Sequence, residues 1–142
     1  MILTSLHLQN FRSYAKQRFQ FSPHTTLIVG PNTAGKTNVL EAIMVIATGK
    51  SFRADRDREM IRWEEELARI TAVVGDTKLE AMVTAGVVAG KDTPFKKYLV
   101  NGVSRRLVDF LGNVRAVLFW PEHLELVTDS PRLRRRYLDS VL

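Results

Sequence analysis

The chain carries one run of residues whose types and spacing suit phosphate chemistry. Residues 30–37 read GPNTAGKT and match the pattern G-x-x-x-x-G-K-[ST] of a phosphate-binding loop. In such a loop, backbone N–H groups converge on phosphate oxygens, the lysine reaches the β- and γ-phosphates, and the hydroxyl residue ligates Mg²⁺. Glycine is required because a loop this tight visits positive φ and leaves no room for a Cβ atom. The pattern therefore predicts that Lys36 contacts phosphate and that Thr37 binds Mg²⁺.

The segments on either side of the loop suit this interpretation. Residues 25–29, TTLIV, predict a buried parallel strand, and residues 37–48, TNVLEAIMVIAT, predict a helix that is apolar nearly all round and ends at Gly49. The helix would add its free N–H groups and its positive dipole end to the site. The alternative is a glycine-rich turn that caps a core helix. The predicted binding residues of this segment are Gly30, Pro31, Asn32, Thr33, Ala34, Gly35, Lys36, Thr37 and Asn38.

Length and composition bound the class of protein. The 142 residues suffice for one domain, and 45% hydrophobic with 25% charged residues is typical of a soluble globular protein. The longest apolar run is far shorter than the roughly 20 residues that span a bilayer, and no signal-peptide pattern follows Met1. We therefore expect a cytoplasmic protein with no membrane partner. The chain has no cysteine, which excludes disulfides and thiolate metal sites.

The charge balance fits a polyanionic partner without requiring one. Lysine and arginine number 21 against 15 aspartate and glutamate, a net charge of +6. Two clusters hold much of the excess: Lys50, Arg53, Arg56 and Arg58, and then Arg132, Arg134, Arg135 and Arg136. Either cluster could equally be a solvated face. For the second we favour a structural role, in which Arg135 pairs with Asp139 one helical turn on.

The remaining segments predict a mixed α/β lobe with a meander of antiparallel strands. Strands are predicted at 2–11, 17–21, 68–75, 78–86, 96–102 and 115–120, and helices at 58–63, 105–112 and 131–142. The last strand, RAVLFW, is expected to be buried. The last helix is still apolar at Leu142, so we expect the chain to belong to a longer protein.

Six segments together resemble the N-terminal part of the RecF family, which belongs with the SMC and Rad50 type of ABC ATPases. They are LQNFRSY, GPNTAGKTNVLEAI, TGKSFRADRDREMIRW, YLVNG, VLFWPEHLELV and SPRLRRRYLD, and they cover essentially the whole chain. The resemblance implies a P-loop NTPase fold, namely the first lobe of an ABC-type ATPase head with an antiparallel β meander. Residues 1–142 would form the N-terminal part of that head, without the signature and Walker B motifs.

The resemblance also implies a function in recombinational DNA repair. RecF proteins bind ATP or ADP with Mg²⁺, form an ATP-dependent homodimer and hydrolyse ATP slowly. They bind DNA, including single-strand/double-strand junctions, and work with RecR and RecO to load RecA at single-strand gaps. The carboxylate that orients the attacking water is expected beyond Leu142. We therefore expect this chain to bind nucleotide with little or no hydrolysis.

Four further residues are implied to act at the site by their positions in the family motifs. Arg12 and Ser13 lie where relatives approach the nucleotide, and Arg53 resembles an arginine that meets phosphates or the dimer partner. Glu122 stands near the segment that reaches the metal in ABC proteins, although no glutamine matches there. For Arg12 the alternative is an exposed turn arginine, and for Glu41 we favour a structural pairing with a nearby base.

The loop departs from the family pattern at one point. Thr33 stands where ABC proteins often carry glycine, and a β-branched residue resists positive φ. The conformation of the loop is therefore open at this position.

Two other functions remain open on the sequence. The chain could be a nucleotide-dependent assembly module, or the head fragment of another SMC/Rad50-like ATPase. A small kinase or GTPase is disfavoured, because RAVLFWPE ends in proline and glutamate rather than in a Walker B aspartate, and no N-K-x-D motif appears.

Overall fold

A computed structural model describes residues 2–119 together with Pro131 and Arg135. The strands are β1 Leu3–Phe11, β2 Tyr14–Gln20, β3 Leu67–Val74, β4 Thr77–Thr84, β5 Val87–Val88, β6 Lys91–Asp92, β7 Lys96–Val100 and β8 Val103–Arg105. The helices are α1 Lys36–Thr48, α2 Leu107–Phe110 and a 3₁₀ helix at Asp57–Met60. Pro131 and Arg135 are both helical, as predicted for 131–142. The rest of that helix, Trp120 and Glu122 lie outside the described residues.

Six strands form one antiparallel sheet in the order β2-β1-β3-β4-β7-β8. The meander from β3 to β8 confirms the strands predicted at 68–75, 78–86 and 96–102. It turns at Asn101 and Gly102, both at positive φ. β1 joins the β1–β2 hairpin to the meander by pairing with β3, for example Leu8 with Ile70, although more than 50 residues of chain lie between these two strands. A two-stranded hairpin, β5-β6, stands apart from this sheet.

One face of the sheet, the inner face, is covered by α1 and forms the core. Strict alternation puts Ala68, Ile70, Ala72 and Val74 of β3 on this face, all at most 5% exposed. From α1, Val39, Ala42, Val45 and Ile46 meet them and are equally buried. Full burial of a side chain such as Leu or Ile contributes about 1.5–3 kcal/mol, so this contact fixes α1 on the sheet.

The opposite face of the sheet, the outer face, is open and polar. It is defined by two cross-strand rows of paired residues. One row is Arg18, His7, Thr71, Glu80, Leu99 and Ser104, and the other is Lys16, Gln9, Arg69, Met82 and Lys97. Among the described residues, the helix contacts to the sheet come through buried inner-face side chains such as Tyr98, which packs against Phe110 with ring centroids 4.9 Å apart.

The C-terminal end of α1 is tied to the meander. Gly49 adopts φ 73 and its N–H donates to the Val45 carbonyl, as predicted for a glycine cap. A Cβ atom at Gly49 would lie 2.5 Å from Leu107 Cδ1 and would be strained at this positive φ, so the position favours glycine. The Gly49 carbonyl accepts from Lys96 Nζ at 3.0 Å and from the Tyr98 hydroxyl at 3.2 Å.

Two predicted strands are wrong. Residues 25–29 are not a strand, and Leu27 and Val29 are 84% and 79% exposed. Residues 115–119 are likewise not a strand, with Val117 and Phe119 exposed. An apolar run indicates that burial of the segment lowers the free energy. A strand also requires hydrogen-bond partners for its backbone N–H and C=O groups. The described residues supply no partner strand to either segment. Within residues 2–119, no helix is long and apolar enough to cross a membrane.

Replacing Tyr98 by phenylalanine tests the tie at Gly49. The removal of this hydrogen bond should lower the free energy of unfolding by about 1 kcal/mol near neutral pH. Burial, with a smaller contribution from Asp57, raises the pKa of Tyr98 above its ordinary value of 10.0. The folded state then keeps a proton that the unfolded state loses, so this contribution is complete below the unfolded-state pKa and is lost as pH rises through the folded-state pKa.

Urea denaturation from pH 7 to about pH 11 measures the effect. The stability gap between wild type and Tyr98→Phe should narrow at alkaline pH, because only the wild type has this group to ionise. A gap that stays constant with pH would contradict the assignment.

Candidate nucleotide-binding site

The loop at residues 30–35 is largely exposed and leads directly into the N-terminus of α1. Thr33 adopts φ 71 and Gly35 adopts φ 88. The β-branched Thr33 therefore takes the left-handed conformation that its residue type disfavours. Gly35 is the N-cap of α1 and brings no side chain to cap it, and no acidic residue stands in the first turn. The positive end of this 13-residue helix is thus left open to an external anion.

Lys36 is folded back over the loop. Its Nζ donates to the carbonyls of Gly30 at 2.5 Å and Pro31 at 2.7 Å. Among the described residues, no carboxylate forms an ion pair with it. The protein partners of this ammonium group are therefore neutral carbonyl dipoles, and its contact with phosphate stays a prediction of the loop pattern.

The β1–β2 turn forms one wall of the loop. A Cβ atom at Gly35 would lie 2.8 Å from the Tyr14 hydroxyl and 3.0 Å from Ser13 Oγ. The Tyr14 hydroxyl also donates to the Ala34 carbonyl at 3.3 Å, and burial raises the pKa of Tyr14. This close approach explains why position 35 requires glycine for space as well as for φ.

Three of the predicted binding residues, Ser13, Asn38 and Arg53, are joined by hydrogen bonds at the first turn of α1. Asn38 Nδ2 donates to Ser13 Oγ at 3.0 Å, and Arg53 donates to Asn38 Oδ1 at 3.1 Å. The amide of Asn38 thus bridges the β1–β2 turn and the loop after α1. This brings Ser13 and Arg53 together at Asn38, the residue that follows Thr37, the predicted Mg²⁺ ligand.

Beneath this bridge lies a buried ion pair. Glu41, with 0% exposure, accepts from Arg12 Nε at 2.9 Å and from a terminal guanidinium nitrogen at 2.6 Å. The same carboxylate accepts from Ser51 Oγ at 2.5 Å, and Ser51 Oγ accepts from the backbone N–H groups of Arg53 and Ala54. A bidentate Arg–carboxylate pair fixes orientation as well as distance. The expected structural role of Glu41 is confirmed, and Arg12 is neither free nor an exposed turn arginine, since its guanidinium is bound within the protein.

Two residues that contribute to the structure of the candidate site were not predicted from the sequence. Tyr14 and Ser51 carried no pattern of their own, although each is adjacent to a predicted residue or one removed from it. Glu122 lies outside the described residues, so its assignment as a second metal ligand stays a prediction. Over residues 2–119, no group of three or more His, Asp or Glu side chains is placed to hold a metal ion.

A sheet backed by one helix, with the phosphate-binding loop at that helix's N-terminus, is the arrangement of a P-loop ATPase head. A family model described as an AAA domain matches residues 5–108. The DNA replication and repair protein RecF of Shouchella clausii is 41% identical over 147 residues, an alignment that covers 100% of this chain and 37% of the relative. The chain thus spans little more than a third of the length of the curated relatives it matches.

Solved structures of RecF and of an SMC ATPase have the same fold as this chain. The recombination mediator protein RecF with ATP superposes with a TM-score of 0.84 at 31% identity, covering 97% of this chain and 37% of that one. A structure of an SMC ATPase, studied for ATP-driven dimerisation and DNA-stimulated activation, has a TM-score of 0.75 at 21% identity over 100% of both chains, which supports the fold alone. The chain belongs to the RecF family, within the AAA-domain P-loop ATPases.

Replacing Glu41 by glutamine should destabilise the fold. The substitution leaves the Arg12 guanidinium, 17% exposed, without its carboxylate, and breaking a buried pair in this way costs about 3 kcal/mol. The midpoint of urea unfolding measures the change. The control is Asp109→Asn, which breaks the solvent-exposed pair with Arg106 and should shift the midpoint little. Similar small shifts in both variants would show that the buried pair does not hold the site.

Proposed function

We propose that this chain is the N-terminal nucleotide-binding lobe of a RecF-type DNA-repair ATPase and that its loop at 30–37 binds ATP or ADP. The observation that carries the proposal is the pairing of an open, uncapped N-terminus of α1 with a lysine that has only carbonyl partners. Both features favour an anion at the same point. The solved RecF structure with ATP supports the choice of nucleotide.

The residues at the loop divide the work of binding. Backbone N–H groups of residues 32–37 and Lys36 would hold the phosphates, exchanging the lysine's two carbonyl contacts for charged ones. Thr37 would bind Mg²⁺, and a bound Mg²⁺ neutralises charge on the β- and γ-phosphates. Hydrogen bonds join Ser13, Asn38 and Arg53, so we expect these three side chains to respond together when phosphate binds.

In this proposal Arg12 acts mainly by holding Glu41, and only part of its guanidinium can contact the nucleotide. Its Nε and one terminal nitrogen already serve Glu41, which leaves the other terminal nitrogen for further bonds. The family resemblance implies that Arg12 contacts the nucleotide. In this proposal that contact is made by the remaining terminal nitrogen.

The finer functions rest on family membership. We propose DNA binding, including at single-strand/double-strand junctions, ATP-dependent homodimerisation, cooperation with RecR and RecO, support of RecA loading, and a cytoplasmic location. Support comes from the curated DNA replication and repair proteins RecF and from the solved recombination mediator protein RecF of the RecFOR pathway. Residues 1–142 would be the first part of the ATPase head, as the 37% span of the relative suggests.

Nucleotide binding by calorimetry tests the core of the proposal. Wild type should bind ATP and ADP in the presence of Mg²⁺, and Lys36→Ala should reduce the affinity at least about tenfold, because a charged hydrogen bond to phosphate contributes about 1.5–3 kcal/mol. Lys91→Ala, in the exposed β5-β6 hairpin, is the control and should bind as wild type does. Equal affinity in all three proteins would refute a working loop.

Turnover tests the second part of the proposal. We expect this chain to release little phosphate from ATP, because it covers only 37% of its RecF relative and the carboxylate that would orient the attacking water is expected in the portion of the relative that it does not cover. Phosphate release over hours measures this. Steady turnover that disappears in Lys36→Ala would show instead that the chain contains a complete catalytic site.

A further inference from the structure

A single ammonium group lies at both ends of the loop that carries Arg53. Residues 49–56 form neither helix nor strand and connect α1 to the 3₁₀ helix. At the start of this loop, Lys96 Nζ donates to the Gly49 carbonyl at 3.0 Å. At its end, the same Nζ forms an ion pair with Asp57 Oδ1 at 2.7 Å. Both ends of the loop are therefore held by one side chain of β7.

The position of Lys96 in the sheet suits it to both partners. It stands two residues before Tyr98, so it lies on the same inner face, and its side chain is 21% exposed. The C-terminal end of α1 carries partial negative charge, and no basic residue stands in the last turn of that helix. Lys96 supplies this missing cation from β7. Because the ammonium is largely shielded from water, salt and solvent screen its ion pair less than they screen an exposed pair.

Arg53 depends on its loop for its place at the candidate site. Its side chain is exposed, and among the described residues its guanidinium has one hydrogen bond, to Asn38 Oδ1 at 3.1 Å. Its backbone N–H donates to Ser51 Oγ at 3.0 Å, which fixes the middle of the loop. A long side chain loses rotamer freedom when it contacts a ligand, and a backbone already held in place reduces what must be ordered on binding.

We propose that Lys96 is a positioning residue for nucleotide binding: by holding both ends of the 49–56 loop, it keeps Arg53 beside the phosphate-binding loop. This role rests on the proposed function, in which Arg53 belongs to the group of side chains that responds to phosphate. Lys96 lies at the C-terminal end of α1, and about 20 Å of helix separates it from the phosphate-binding loop at the other end. It therefore acts through Arg53 and does not contact the nucleotide.

Calorimetric titration with ATP and Mg²⁺ tests this role in the variant Lys96→Gln. Loss of the ammonium should weaken ATP binding about fivefold, the cost of ordering one long side chain on binding. The matched control is Lys97→Gln, which removes the same charge from the next residue of β7. The Lys97 side chain is exposed on the outer face and forms no ion pair among the described residues, so this control should bind ATP as wild type does.

A double-mutant cycle with Arg53→Ala separates positioning from a general structural role. If Lys96 acts through Arg53, Lys96→Gln should cause no further loss of ATP affinity in the Arg53→Ala background. A purely structural role would lower the affinity by the same factor in both backgrounds, and that result would overturn the proposed positioning.

A second variant and two reference proteins make the outcome decisive. Asp57→Asn breaks the ion pair, leaves the Gly49 bond and replaces Lys96→Gln if circular dichroism shows that the latter does not fold; it should weaken ATP binding only when Arg53 is present. Unchanged affinity in folded Lys96→Gln, with binding still weakened in Lys36→Ala, would overturn the positioning role and leave the proposed function intact. Failure of wild type to bind ATP, or equal affinity of wild type and Lys36→Ala, would overturn both.

Discussion

The carboxylate of Glu41 is the point at which three separate segments are held together. It sits on α1 one turn after the phosphate-binding loop, fully buried, and binds Arg12 from the β1–β2 turn and Ser51 from the loop after α1. A charge is costly to bury unless its partners satisfy it, and here a bidentate guanidinium and a hydroxyl do so. The geometry of the predicted site depends on this anchor, because Ser13 and Arg53 project from the same two segments.

The anchor lies below the site rather than in it, and this division explains the arrangement of the polar residues around α1. Glu41 faces inward with the apolar positions of the helix, while Asn38, on the preceding turn, lies partly exposed and bridges Ser13 and Arg53. One helix face thus carries two layers of polar contacts. The inner layer fixes backbones, and the outer layer presents side chains that phosphate can rearrange.

The elements that depend on interactions between neighbours in sequence could be predicted from the sequence. The alternation of β3 and β4, the turn at Asn101 and Gly102, and the end of α1 at Gly49 were all predicted, because each depends on neighbours in sequence. The loop could be proposed as the site because backbone geometry at a phosphate demands fixed residue types, and the positive φ of Gly35 agrees with that pattern. Ser51 and Tyr14 were missed because their roles arise from contacts across the chain, with Glu41 and with Ala34. The segments at 25–29 and 115–119 were assigned wrongly because apolar character does not identify a pairing partner.

The order of the strands has a consequence for how the protein folds. The meander from β3 to β8 and the β1–β2 hairpin are each built from contacts between neighbours in sequence, which form quickly. The pairing of β1 with β3 joins residues such as Thr4 and Val73, 69 positions apart, and must close a loop that contains the phosphate-binding segment. The buried pair at Glu41 joins residues 29 positions apart, so it too must close a loop and does not form from neighbouring contacts alone. The two hairpin units should therefore assemble first, and the nucleotide site should be among the last parts of the molecule to acquire its shape.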